Sequence, residues 1–226
     1  MKNFKNCIMF FLLVSSLVLT LSVSVMAGQE TAVPTLELPV FTTSAGQSAD
    51  INTLNIVADE AGLKYDYCDA PTVEMVASGV GMDGAVSGPG FHVEILTNLS
   101  TYPVGTPYKT IVLAIGASLK GMGASGLTLD DEVKRVKGII EYCKKNNIYI
   151  IATHLGGLSA RGAVGSDNES MIDAVAPFAD YIIVTKDGNK DGRFTEIVEK
   201  NKSQLTEIDY ALDLIEVLEE VFQLGE

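Results

Sequence analysis

Four stretches of this sequence combine glycine with groups able to hold or transform a small molecule. They are Thr43–Ser48 (TSAGQS), Gly116–Gly126 (GASLKGMGASG), His154–Gly162 (HLGGLSARG) and Lys186–Gly192 (KDGNKDG). Glycine lets backbone N–H groups approach a ligand closely. Ser44, Gly46, Gln47, Ser118, Gly121, Gly156, Gly157 and Asn189 offer neutral hydrogen-bonding groups, and Lys120, Arg161 and Lys186 offer positive charge. A pocket of that composition suits a small carboxylate or phosphate. His154, one of two histidines, is the candidate acid/base, with Lys120 or Arg161 to stabilise developing charge. A plainer reading stands beside this one. Glycine is common wherever a strand turns into a helix, and a histidine at a strand end is more often a structural hydrogen-bonder than a catalyst.

Familiar chemical signatures are incomplete. Gly116–Gly126 contains no GxxxxGK[ST], so it is not a nucleotide-binding loop. Thr43–Ser48 resembles the phosphate loop of flavodoxins, but Ala45 stands where a second hydroxyl is usual and the chain has no tryptophan to stack a flavin. That argues against FMN, and no cofactor is expected. Asp187, Asn189 and Asp191 with Gly192 look like the start of a calcium loop, with Thr195 at position nine. Val198 stands at position twelve, where a bidentate acid is needed. An Asp/Asn/Gly turn is therefore the better reading, and no metal is expected. No GxSxG elbow is present. Asp59, Glu60, Asp66 and Asp69 read as surface acids rather than a catalytic pair.

The elements that must position these stretches follow from periodicity. Glu37–Thr43, Leu63–Cys68, Lys109–Ile115, Ile148–Thr153 and Asp180–Thr185 read as strands, with a further short one near Gln204–Ile208. Ser48 is expected to cap a helix with Ile51, Leu54, Ala58 and Ala61 on one face, ending at Gly62. Thr128 opens another, with acids in its first turn and a stripe of Leu129, Val133, Val136, Ile140 and Cys143. Ser166 caps a third, running to about Phe178. Two more lie around Phe194–Lys200 and through Leu212, Ile215, Leu218 and Phe222. Between residues 69 and 107 the rhythm breaks into a glycine-rich insertion whose strand-like island is Phe91–Ile95. Alternating strands and helices predict an α/β fold: a doubly wound three-layer sandwich on a mostly parallel five-stranded sheet. Its expected order is flavodoxin-like, with a Rossmann-like order the alternative. Ligands of such sheets sit outside the carboxyl ends of the strands, where all four glycine-rich stretches fall.

The N-terminus reads as an export signal. Lys2 and Lys5 precede an uncharged apolar run from Cys7 to Val25, and Val25-Met26-Ala27 is a cleavage-like tripeptide before Gly28. Residues 1–27 are thus expected to be removed, leaving 28–226 as a single secreted or extracytoplasmic domain with no membrane span. With 29 acidic and 16 basic residues, the chain is poorly suited to nucleic acid or anionic membrane, which bind through Lys/Arg clusters. Cys68 and Cys143 are expected as free thiols rather than a bridge, Cys143 acting as a small hydrophobe.

Together TSAGQS, GASLKGMGASG, the HLGG stretch running to Arg161-Gly162, and GNKDGRFT (Gly188–Thr195) resemble an uncharacterised family of secreted bacterial α/β domains, known as a domain of unknown function. The resemblance covers nearly all of the chain after the leader, and the 69–107 stretch looks longer than in many relatives. The family brings no activity or ligand to transfer. The reading that follows is an extracytoplasmic protein binding a small anion at the carboxyl edge of the sheet, accessory to solute uptake or sensing through a transporter or sensor partner. Competing readings are a secreted hydrolase or isomerase using His154, and a protein-interaction module presenting residues 69–107.

Overall fold

Three strands read as nearly unbroken apolar runs because both of their faces are covered. They are β4 (Thr110–Ile115), β5 (Tyr149–His154) and β6 (Tyr181–Thr185). The structure, a computed structural model, describes residues 33–88 and 94–225; the expected leader, His92 and most of the Phe91–Ile95 island lie outside them. β1 (Val40–Ala45) and β2 (Tyr65–Cys68) complete the inner sheet, and β7 (Gln204–Ile208) closes one edge. β3 (Ile95–Thr97) closes the other. The order is β3-β2-β1-β4-β5-β6-β7. Every pairing is parallel except β2 with β3, which is antiparallel. The sheet therefore has seven strands against the five expected. β7 is only half-buried and β3 fully exposed, so neither carries the apolar signature of the inner strands.

Side chains alternate between two layers. Phe41, Ile111, Leu113, Ile150 and Ile182 face one core, which is covered by α2 (Val73–Ala77), α4 (Leu129–Lys145), α6 (Asp167–Val175) and α7 (Arg193–Asn201). Val40, Val112, Ile151 and Ile183 face the other, beneath α1 (Asp50–Glu60) and α8 (Leu214–Phe222). Helix starts follow local chemistry. Thr128 and Asp131 form a reciprocal capping box on α4, and the Ser166 side chain accepts from the Glu169 N–H. The start of α1 departs from expectation: Ala49 is the cap residue, and Ser48 Oγ instead accepts from the Asp50 N–H at 3.2 Å. Two short helices, α3 (Leu119–Ala124) and α5 (Leu158–Arg161), lie inside stretches expected to be loops. Cys68 and Cys143 are free and fully buried, and burial pushes each thiol up to about 12.

The 69–107 insertion is fastened to the sheet by an acid expected at the surface. Asp66 on β2 is wholly buried and accepts from Gly81 N (2.9 Å), Asn98 N (3.0 Å) and Tyr108 Oη (2.7 Å). Asp69, half-buried, accepts from Glu94 N. Asp66 lies within β2 and Asp69 directly after it, and both carboxylates satisfy loop N–H groups that no ladder reaches. Asp59 and Glu60 do lie exposed.

Candidate functional site

The chain leaves β1 for β2 on one side and later returns to β4 on the other, so the loops after β1 and β4 flank the topological switch point. β1 continues through Ser44 and Ala45, both expected in the loop, before turning at Gly46. That loop then lies against the end of β4. Gly116 N donates to Ala45 O (3.0 Å) and Ser118 N to Gly46 O (2.8 Å), while Gln47 bridges to Ala117. Gly46 has φ of 110° and lies directly against the Gly116 carbonyl, leaving no space for a Cβ. Its glycine serves loop-on-loop contact.

Behind this loop lies a buried ion pair on α4, Glu132 with Arg135, one turn apart. Arg135 donates to both Glu132 oxygens (2.7 and 2.6 Å) and to Ser44 O (2.7 Å). Glu132 also accepts from Gly46 N (2.8 Å) and Gln47 Nε2 (3.3 Å). Gln47 completes the network by donating to Asp69 O and accepting from Ser125 Oγ. Sequence reading missed this pair, although a signal exists. Glu132 and Arg135 stand four residues before Val136 and Ile139, on the stripe that is buried. The expected stripe was rotated toward Leu129 and Val133, which are only half-buried.

A second buried cluster holds the β5 and β6 ends. Arg161 donates to Glu169 Oε1 from Nε (2.9 Å) and Nη2 (2.7 Å), and from Nη1 to Asp191 Oδ1 (2.6 Å) and Gly188 O (3.1 Å). Its guanidinium also lies 5.7 Å from the Phe194 ring centroid. Lys186 pairs with Asp209 at the surface. Lys120 is exposed. Ser118 caps α3, and Gly121 abuts Gln47 O. Gly156 O accepts from Thr185 Oγ1, and Gly157 abuts the Asp187 carboxylate. The proposed calcium groups face protein partners. Asp187 accepts from Leu158 N, Asp191 from Arg161, and Asn189 bonds Phe194 N, Thr195 and Glu207. Among the described residues no group of three or more His, Cys, Asp or Glu could hold a metal.

The strand ends also carry polar groups that belong to neither cluster. Gly116 has no side chain, and the space a Cβ would take holds Ser48 Oγ and Asp50 Oδ2. Burial raises the Asp50 pKa, with His154 and a hydrogen bond from Ser48 opposing it. His154 ends β5 with Nδ1 3.1 Å from Ile115 O. A carbonyl only accepts, so this contact assigns the ring proton to Nδ1 and leaves Nε2 a bare acceptor. Nε2 is buried without a partner, and the ring stacks on Phe194 at 5.7 Å. Burial lowers the His154 pKa, with Ile115 O and Asp50 pulling the other way, so the ring is neutral. Two further hydroxyls lie one row inside, on the sheet face opposite to the His154 ring. Ser44, Ala114 and Thr153 share one register row across β1, β4 and β5. Ser44 Oγ and Thr153 Oγ1 thus flank the small Ala114 side chain, both buried and unpartnered.

The model of a family described as a domain of unknown function (DUF6305) matches residues 37–222. The chain belongs to this family. The matched span runs from just before β1 to the end of α8, so it includes both ion-pair clusters and the groups between them. No curated protein matches. Among solved structures, a putative acylhydrolase from Bacteroides fragilis matches with 14% identity and a TM-score of 0.31, covering 78% of this chain and 71% of that one. Among the described residues no helix is long and apolar enough to cross a membrane. An open groove of about 700 Å³ lies elsewhere, between α2 and α4, and is lined by Val73, Leu127, Lys134 and Glu141 among others. Apart from Arg135, none of the groups that converge on the strand ends lines it.

Proposed function

We propose that this domain binds a small polar molecule at the carboxyl edge of its sheet, at the switch point between β1 and β4. It does so outside the cytoplasm, as an accessory to solute uptake or sensing. The observation that carries this reading is His154 Nε2, buried and without a partner at the last residue of β5; Ser44 Oγ and Thr153 Oγ1, also unpartnered, lie one row inside on the opposite face. Buried polar atoms normally find partners, and a histidine nitrogen without one at the edge where such sheets bind ligands supports a site there. Order among the parallel strands suits a flavodoxin-like arrangement, in which that edge is the working face. Export rests on the Lys2/Lys5 and Cys7–Ala27 pattern.

The anion expected from sequence has narrower support. Arg161 and Lys186 are engaged by carboxylates, which leaves Lys120 as the exposed candidate cation. Thermal-shift screening of small metabolites, followed by equilibrium dialysis with Ser48→Ala and Asp50→Asn, tests the site. A bound compound whose affinity drops in both variants supports it; a screen without a hit, or binding indifferent to both substitutions, refutes it.

A second reading has one observation of its own. A neutral histidine with its proton fixed on Nδ1 and a free Nε2 is arranged as a general base. In a hydrolase or isomerase, turnover would vanish in His154→Gln while binding persisted. If turnover survives that substitution, the enzymatic reading is lost.

A further inference from the structure

The two edges of the sheet are built differently. β7 is mostly half-buried and includes a charged residue, Glu207. β3 consists of Ile95, Leu96 and Thr97, all exposed and none charged. Ile95 is 51% and Leu96 41% exposed. Successive strand residues point to opposite faces, so neither layer of helices covers this edge. Val104, 83% exposed, lies against Gly81, which Asp66 of β2 holds to the same flank. Natural sheets blunt their edges with charge, proline or brevity, because unpaired backbone groups are a template for another strand. Within β3 only brevity is used.

Which backbone groups face outward follows from the pairing with β2. Cys68 pairs with Ile95, Tyr67 with Leu96 and Asp66 with Thr97, and Asp69 N donates to Glu94 O (3.3 Å). Antiparallel ladders alternate hydrogen-bonded and non-hydrogen-bonded pairs. Glu94 and Leu96 therefore turn their N–H and C=O groups toward β2, as Asn98 does with its N–H on Asp66. Those of Ile95 and Thr97 point away, where no strand lies among the described residues. Consider two copies related by a two-fold axis at Leu96. Ile95 of each then stands opposite Thr97 of the other, in pairs that exchange both bonds, so every outward group is used. Leu96 meets its own counterpart in the close, non-hydrogen-bonded pair. Glu94 falls opposite Asn98 instead of a second Glu94, so like charges are not opposed. The edge is complementary to itself in both bonding and charge.

We propose that β3 is a self-association edge: two copies of this chain pair their β3 strands antiparallel about Leu96 and join their sheets into one. The contact is isologous and independent of any ligand at the carboxyl edge. Its small size makes the dimer weak and concentration-dependent.

Sedimentation velocity of the purified protein over a concentration series tests this, with a reversible monomer–dimer equilibrium expected. Thr97→Pro removes an outward N–H while sparing the β2 ladder. It should raise the concentration at the dimer midpoint by about tenfold, the scale of the hydrogen bonds lost. Leu96→Cys gives a second readout that needs no loss of association. Under oxidation it should cross-link to itself, because the close pair brings both Cβ atoms within disulfide reach. Ile95→Cys, facing Thr97, should stay largely uncross-linked. Cys68 and Cys143 are buried and do not compete. A protein that is monomeric at every concentration overturns the proposal and leaves the edge to a strand of another protein. A dimer indifferent to Thr97→Pro, or one cross-linked through Ile95→Cys and not Leu96→Cys, overturns it as well. Either failure leaves the carboxyl-edge reading untouched.

Discussion

Two buried arginine–glutamate clusters hold the two ends of the same sheet edge, and they do so in different ways. Glu132 and Arg135 sit one turn apart on a single helix. Forming α4 places both partners together, and they then grip backbone: Ser44 O, Gly46 N and, through Gln47, Asp69 O. Arg161, Glu169 and Asp191 come from α5, α6 and the turn before α7. They meet only when three segments have docked. The first cluster is sealed, with side chains 4% and 0% exposed, whereas Asp191 in the second is 45% exposed. Glu169 also keeps a second arginine nearby, Arg193 at 3.7 Å. One cluster joins two side chains of a single helix and organises a loop; the other ties three segments together. A buried pair need not stabilise relative to an apolar replacement, but removing one partner strands a charge. The sealed cluster should therefore tolerate such a loss least.

The largest expected effect follows directly. Arg135→Met leaves Glu132 buried without its cation and should cost about 3–5 kcal/mol in urea denaturation. Arg161→Met should cost about 2 kcal/mol, because Glu169 retains Arg193 and Asp191 reaches water. Equal losses at the two sites would break the comparison, and a larger loss at Arg161 would reverse it.

The region between the clusters is sharpened by pH. Burial lowers the folded-state pKa of His154 below its ordinary 6.5. Between those two values the unfolded chain holds more protons than the native one, so stability falls as pH drops below about 6.5. His154→Gln should flatten that part of the profile. Asp50 acts in the opposite sense: its folded pKa is raised above the ordinary 3.8, so acidification through the interval between the folded and unfolded values favours the fold. A stability profile that rises on acidification from pH 7 to 5.5 would contradict the neutral, buried histidine.

Gly116→Ala gives the smallest effect on stability. Its Cβ would meet Ser48 Oγ and the Asp50 carboxylate, both ends of flexible side chains. These can swing away at a cost of about 1 kcal/mol, but binding at the edge should be lost. Unchanged ligand affinity in a folded Gly116→Ala protein would remove Ser48 and Asp50 from the site.

Much of the framework is legible in the chain because its signals are local. Tyr149–His154 and Tyr181–Thr185 are dense apolar runs, and Thr128 with Asp131 is a capping box visible by spacing alone. β3 and β7 are less so, since an edge strand needs no second apolar face. The four strand-end loops are foreseeable from their glycines. The pairing of their charges is not. Arg161 reads as a ligand cation until Glu169 and Asp191 are brought to it by helices packed across the edge. Asp66 reads as a surface acid until Gly81, Asn98 and Tyr108 converge on it. Neither residue carries a mark that says which way its partners will fold.

That convergence makes Asp66 a single fastening point for two kinds of structure. One carboxylate collects donors from Gly81, Asn98 and Tyr108, next to Met82 in the core on one side and to edge strand β3 on the other. Loss of that one acid would therefore loosen a core segment and a sheet edge together, on the flank opposite the Arg161 cluster.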